Sequence, residues 1–248
     1  MERLEPIEAA RLFIDKYFTN CNAAVLAGSV VRGQATATSD LDIVVFDEQI
    51  ESSFRESVCE FGWPIEVFVH NLSSYKDFFL MDYHIAKPSM QRMVTEGIVL
   101  RNDGVLNDIK QEAEKMLVAG PKEWSEETIR TKRYFISDVL DDFIGSTNEQ
   151  EAIFIASSLS MLLHEFVLRV NNQWIGTSKW MVRSLRQYDL TFADKFIEAF
   201  QVFYRTGEKT KVILLAEQSV RAIWRKVICW VLAWEEIKRD IRISKMLN

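Results

Sequence analysis

The stretch VLAGSVVRGQATATSDLDIVVF, Val25 to Phe46, decides how the rest of the chain is read. It begins as an apolar run, breaks at Gly28-Ser29, and becomes apolar again from Leu41 to Phe46. Two short strands joined by a flexible loop are the simplest reading. The second strand carries Asp40 and Asp42 at its start. Residues i and i+2 of a strand share a face, so the two carboxylates project together with Cα atoms roughly 6.5–7 Å apart. Bare carboxylates at that spacing repel, and one of them tends to take up a proton. A divalent cation removes the conflict, and hard oxygen ligands suit Mg²⁺. The Gly28-Ser29 turn offers backbone N–H groups and a hydroxyl at the start of a short predicted helix through Val31, an arrangement that favours phosphate. Gly33 lets the chain turn back toward the second strand with no Cβ in the way.

Outward from this stretch, the 248-residue chain has room for one large or two smaller domains, and 48% apolar residues suffice for a buried core. The net charge is −6, with no Lys/Arg-rich block, which argues against a nucleic-acid partner. Residues 1–120 hold 11 Lys/Arg against 19 Asp/Glu, whereas residues 121–248 hold 19 against 17. An acidic half beside a slightly basic one suits a cleft for a metal–nucleotide complex and a cationic molecule. Cys21, Cys59 and Cys229 have neither metal-ligand nor disulfide spacing and are read as reduced thiols. The start MERLEPIEAARLF is acidic where a signal peptide is basic. Apolar runs such as VICWVLAW fall well short of the ~20 residues that span a bilayer. A cytoplasmic protein with no membrane association is expected.

Hydrophobic period predicts an opening helix from Ile7 to Phe18, with Leu12, Phe13 and Tyr17 near helical spacing, and strands at Ala23–Ala27 and Leu41–Phe46. A second amphipathic helix is predicted between Glu48 and Gly62, ending at the glycine. PIEVFVHN is a strand with Ile65, Val67 and Val69 on one face and Glu66, Phe68 and His70 on the other. Tyr75 to Thr95 is helical with a break near Lys87-Pro88, GIVLRND is an edge strand, and Leu106 to Val118 is helical. AGPKEWSEE then marks a boundary, with Ser125 as an N-cap. Beyond it the period is helical throughout: Ile129, Ile136, Leu140 and Phe143 form a stripe, and Ile153 to Val170 reads as a central bundle helix. The stretches LTFADKFIEAFQVFY and LLAEQSVRAIWRKVICWVLAWEEI continue the pattern. The expected fold is an α+β domain over 1–120, a mixed sheet flanked by helices, followed by an all-α helical bundle over 121–248.

The whole motif is Gly28-Ser29, Gly33 and Ser39-Asp40-Leu41-Asp42. With Leu41 left out, its six fixed positions recur by accident in such a chain with odds on the order of 10⁻⁵. This motif resembles the signature of the nucleotidyltransferase superfamily typified by DNA polymerase β, whose small bacterial members include aminoglycoside and lincosamide nucleotidyltransferases. The resemblance implies that Asp40 and Asp42 hold one or two Mg²⁺ ions, with Glu66 either completing the metal site or taking the acceptor's proton. It places Gly28, Ser29, Gly33 and Ser39 on the nucleotide side, with ATP or another NTP as co-substrate; Arg32, within the same loop, is read as reaching the triphosphate or a nearby carboxylate, against a solvent-exposed side chain. In SKWMVRSLR, Lys179, Arg183 and Arg186 share a helix face opposite Trp180, Met181 and Leu185. The resemblance finds no fixed counterpart in the helical half; Lys179 is the candidate for the triphosphate-clamping lysine of some antibiotic-modifying members, and a solvated helix face is the competing reading. Asp138, Asp141 and Asp142 are read as a solvated acidic face before a cation site, and His70 as a surface histidine. Trp174, Trp224 and Trp230 are read as core.

The function expected is transfer of a nucleoside monophosphate, AMP foremost, to a hydroxyl of a small acceptor such as an aminoglycoside- or lincosamide-like compound. Two alternatives stay open: protein adenylylation of the toxin–antitoxin type, and a nucleotide-binding protein without turnover. A polymerase acting on tRNA or DNA fits least, because a basic surface is missing.

Overall fold

A computed structural model describes residues 3–220, which divide into two compact units at the Lys122/Glu123 junction. Cys229, Trp224, Trp230 and the end of the last helical stretch lie outside the described residues.

The first unit runs α1 (Pro6–Tyr17), β1 (Ala23–Ala27), α2 (Gly28–Val31), β2 (Leu41–Phe46), β3 (Phe54–Glu60), β4 (Trp63–His70), α3 (Tyr75–Ile85), α4 (Ser89–Glu96), β5 (Ile98–Asn102) and α5 (Val105–Ala119). Its strands form one mixed sheet in the order β3-β4-β2-β1-β5. The β2–β4 pair is parallel and the other pairs are antiparallel. Helices cover both faces, which is why β1 is buried along its whole length and reads as a continuous apolar run rather than an alternation. On one face Ala24, Leu26, Ile43, Val45, Ile65 and Val67 pack against α1. On the other, Val25, Val44 and Phe46 meet Tyr75 and Phe79 of α3, Met90 and Val94 of α4, and Leu106 and Ile109 of α5.

The buried face of α1 is Ala9, Ala10, Phe13 and Ile14, while Leu12 and Tyr17, placed by the sequence on the inner stripe, are largely exposed. Alanines let this helix sit close to the sheet, a packing choice that large-residue periodicity overlooks. At the α3–α4 break the Asp82 carboxylate accepts a hydrogen bond from the Met90 N–H at 2.8 Å, holding the first turn of α4. Burial pushes that carboxyl up to about 6.

The predicted helix over Glu48–Gly62 is not formed. Its second half is β3, joined to β4 by a two-residue turn in which Phe61 and Gly62 both have positive φ, 54° and 79°. That is the turn geometry matching the twist of a tight hairpin. A glycine closing an apolar segment marks a helix end and a hairpin turn alike. Because β3 is an edge strand with most of its residues exposed, it carries no strong alternation to separate the two.

The second unit contains α6 (Glu126–Gly145), α7 (Glu149–Val170), α8 (Lys179–Tyr188) and α9 (Leu190–Thr206), followed by helical residues 210–220. Ser125, Asn148 and Asp189 cap α6, α7 and α9, each accepting a hydrogen bond from a first-turn N–H. Ile136, Leu140 and Phe143 of α6 meet Ala156, Leu159, Leu163 and Phe166 of α7 and Phe196, Phe200 and Phe203 of α9 in one core. The inventory of short apolar runs overlooks α7, which by length and composition could cross a bilayer. Its inward face belongs to the helical core, whereas Ile153, Phe154 and Met161 are exposed, so it is apolar all round but not buried all round.

Candidate active site

Strand register assembles the site. Ala27 of β1 lies opposite Asp42 of β2, and Asp42 lies opposite Glu66 of β4. Beyond Ala27 the chain enters α2 at Gly28; one residue before β2 is Asp40. Asp42 and Glu66 sit on the same sheet face as Val44 and Phe46, at the end those residues leave free of the α3–α5 core. One ligand atom from each of Asp40, Asp42 and Glu66 lies within 4.8 Å of the others. All three side chains are half-buried.

Such crowding has an electrostatic signature. The Asp42 carboxyl is pushed up to about 6, first by burial, then by the charges of Asp40 and Glu66. Arg32 and Arg55 pull the other way without cancelling the effect. The site therefore carries more negative charge than its protein surroundings neutralise. Three carboxylates so gathered are a donor set that would suit a hard divalent cation.

Gly28 shows how tightly the turn after β1 is drawn over this cluster. With φ at +81°, a Cβ on Gly28 would lie 1.9 Å from Asp42 Oδ2. Only glycine permits that approach. Gly33 has φ +65° and open space where a Cβ would stand, so its requirement is backbone conformation and not the clearance expected from the sequence.

The loop is pinned by its hydroxyls. Ser29 Oγ donates to Ser39 Oγ at 3.1 Å, and Ser39 Oγ accepts from the Thr36 N–H at 2.8 Å. The Arg3 guanidinium, 3.4 Å from the Trp63 ring centroid, donates to the Ser39 carbonyl at 2.6 Å. Ser39 thus fastens the turn ahead of Asp40 to the turn after β1. Arg32, at the end of α2, pairs with Glu96 of α4 at 2.9 Å.

Arg55 was hidden by the helix reading of its segment. From β3 it donates through Nε, at 2.7 Å, and through Nη2 to Glu66 Oε1. His70, four residues beyond Glu66, is not the surface residue the sequence suggested. It is buried, its Nδ1 lies 3.1 Å from Ser53 Oγ, and its ring packs edge-on to Phe78. Burial moves its pKa down to about 4, leaving it neutral at pH 7.

In the helical unit, Lys179 opens α8 as an exposed side chain. The basic stripe drawn through it divides: Arg183 lies over the Trp180 ring at 4.9 Å and Arg186 faces Asp194 at 3.4 Å. Asp138, Asp141 and Asp142 are exposed on α6, and Trp174 is half-buried.

No protein-family model and no curated protein matches the chain. Among solved structures it is similar to a nucleotidyltransferase-like protein from Exiguobacterium sibiricum 255-15, at 10% identity and a TM-score of 0.46, over 90% of this chain and 75% of that one.

Proposed function

We propose that the protein is a Mg²⁺-dependent nucleotidyltransferase that moves a nucleoside monophosphate, AMP from ATP in the first instance, to a hydroxyl of a small molecule. The observation that carries this reading is the gathering of Asp40, Asp42 and Glu66 within 4.8 Å, directly beneath a glycine turn that admits no Cβ.

In this reading Asp40, Asp42 and Glu66 hold the metal. Bound Mg²⁺ would supply charge stabilisation to the attacking oxygen and the leaving pyrophosphate in an in-line displacement. The chain's own contribution is placement. Gly28, Ser29 and the following backbone N–H groups orient the β- and γ-phosphates, Gly33 shapes the return of the loop, and Ser39 holds Asp40 in register. Arg32 is the cation beside the phosphate path. The gathering of Glu66 with Asp40 and Asp42 within 4.8 Å favours its role as metal ligand over that of general base.

The test is transfer of labelled nucleotide from each of the four NTPs with Mg²⁺, offered to aminoglycosides, lincosamides and a protein lysate. Label should move to a small acceptor, and Asp40→Asn should lower the rate by more than about 100-fold. Transfer unaffected by Asp40→Asn, or no Mg²⁺–nucleotide binding by calorimetry, would overturn the proposal; label on protein alone would move the acceptor to a side chain.

A further inference from the structure

The hydrogen bonds around Glu66 are lopsided. Arg55 Nε and Nη2 both donate to Oε1, and Ser57 Oγ lies 3.5 Å from the same oxygen. Oε2 accepts no hydrogen bond among the described residues. The hairpin register produces this directly: Ser57 stands opposite Glu66 and Arg55 opposite Phe68, so both reach across to Glu66 on the face carrying Asp42. The Phe68 ring centroid is 4.9 Å from the guanidinium carbon, an aromatic seat for the cation.

Resting on the metal-site reading above, we propose that Arg55 is a positioning residue: it anchors Glu66 by Oε1 and so orients Oε2 as the oxygen presented to the ion shared with Asp40 and Asp42. A carboxylate on a flexible two-carbon stem has several rotamers, and only some complete a three-carboxylate site. Two donors converging on one oxygen remove that freedom while leaving the second oxygen open. A guanidinium near a cation also repels it, so the sign of its effect is the real question. Arg55 is 62% exposed and Glu66 18%. The positive charge is therefore largely screened by water, whereas the orientation it imposes acts on a mostly enclosed group. Orientation prevails, and Arg55 strengthens metal binding although it carries the metal's own sign. Hydrogen-bonding partners of metal ligands characteristically act in this way.

Mn²⁺ binding to the full chain, followed by electron paramagnetic resonance at fixed ionic strength, tests this without reference to turnover. Arg55→Gln should weaken Mn²⁺ by about 10–100-fold, with the circular dichroism spectrum unchanged because the residue sits exposed on an edge strand. Arg55→Lys keeps the charge but not the paired donors, and should stay weakened. In a Glu66→Gln background, Arg55→Gln should have no further effect, since the orientation it provides has lost its object. Unchanged or tighter binding in Arg55→Gln, full recovery in Arg55→Lys, or an undiminished effect in the Glu66→Gln background would each overturn the assignment. If the unaltered protein binds no Mn²⁺, the metal-site reading falls and this one with it; if it binds and Arg55→Gln matches it, only the role of Arg55 falls.

Discussion

Replacing Asp42 with asparagine should make the metal-free protein more stable while removing its hold on an ion. The folded state moves this carboxyl from 3.8 up to about 6, with burial the first cause and Asp40 and Glu66 the next. A shift of that size destabilises the fold by at most about 3 kcal/mol once the group is ionised in both states. Some water reaches the side chain, so about 1–3 kcal/mol is the amount to expect. The direction follows from the raised value: the neutral acid is favoured by folding, so its contribution is fully present below pH 3.8 and is lost as pH rises through about 6. Asp42→Asn retains the neutral shape at every pH. In chelator-treated samples at pH 8 its melting temperature should exceed the unaltered protein's by about 2–12 °C, using about 2–4 °C per kcal/mol. Near pH 4 the two melts should converge. Saturating Mg²⁺ or Mn²⁺ should close the gap from the other side, since a ligand at 100 times its Kd adds about 2.7 kcal/mol to the form that binds it. Scanning calorimetry at both pH values, with and without metal, reads all these effects. An Asp42→Asn variant less stable at pH 8, or a difference independent of pH, would refute the account of the site as charge held in readiness for a cation.

Gly28→Ala should lower stability by about 1–3 kcal/mol and abolish Mn²⁺ binding, because a left-handed backbone must accept a Cβ at 1.9 Å from Asp42 Oδ2; a thermal melt and a Mn²⁺ titration check both. His70→Phe should flatten the loss of stability on acidification. A histidine lowered to about 4 stabilises the fold above its unfolded value of 6.5, and that contribution disappears as pH falls from 6.5 through about 4. Urea melts at pH 7 and pH 4.5 should show a larger drop for the unaltered chain than for the variant.

Asp40 and Asp42 were legible in the sequence through the strand period of two, whereas Glu66 was named only by the resemblance, which puts a further carboxylate on a following strand; alternation gave its face alone. That they meet is a matter of parallel register between segments over twenty residues apart, which alternation permits but does not dictate. Arg55 was out of reach for a different reason. Its strand is an edge, exposed along most of its length, and the glycine after it fits two local structures equally well. His70 was misplaced because its burial comes from α3 folding over the strand end, where Phe78 covers the ring. Alternation assigns a residue to a face; it says nothing of what covers that face at each point along the strand. In α1 the inner stripe was drawn through large residues, while the sheet selected Ala9 and Ala10 for close approach.

Strand β4 is paired on both sides, in two different senses. Its parallel seam with β2 sets Glu66 against Asp42; its antiparallel seam with β3 sets Arg55 and Ser57 against the same glutamate. The two seams share no residue except those of β4, so β3 acts as a replaceable part. Lengthening the Phe61-Gly62 turn, or exchanging residues 54–60, changes what stands behind Glu66 without altering the seam that faces it toward the aspartates. The proposed ion site could thus be retuned from its outer edge, one strand at a time, while the carboxylates stay where they are.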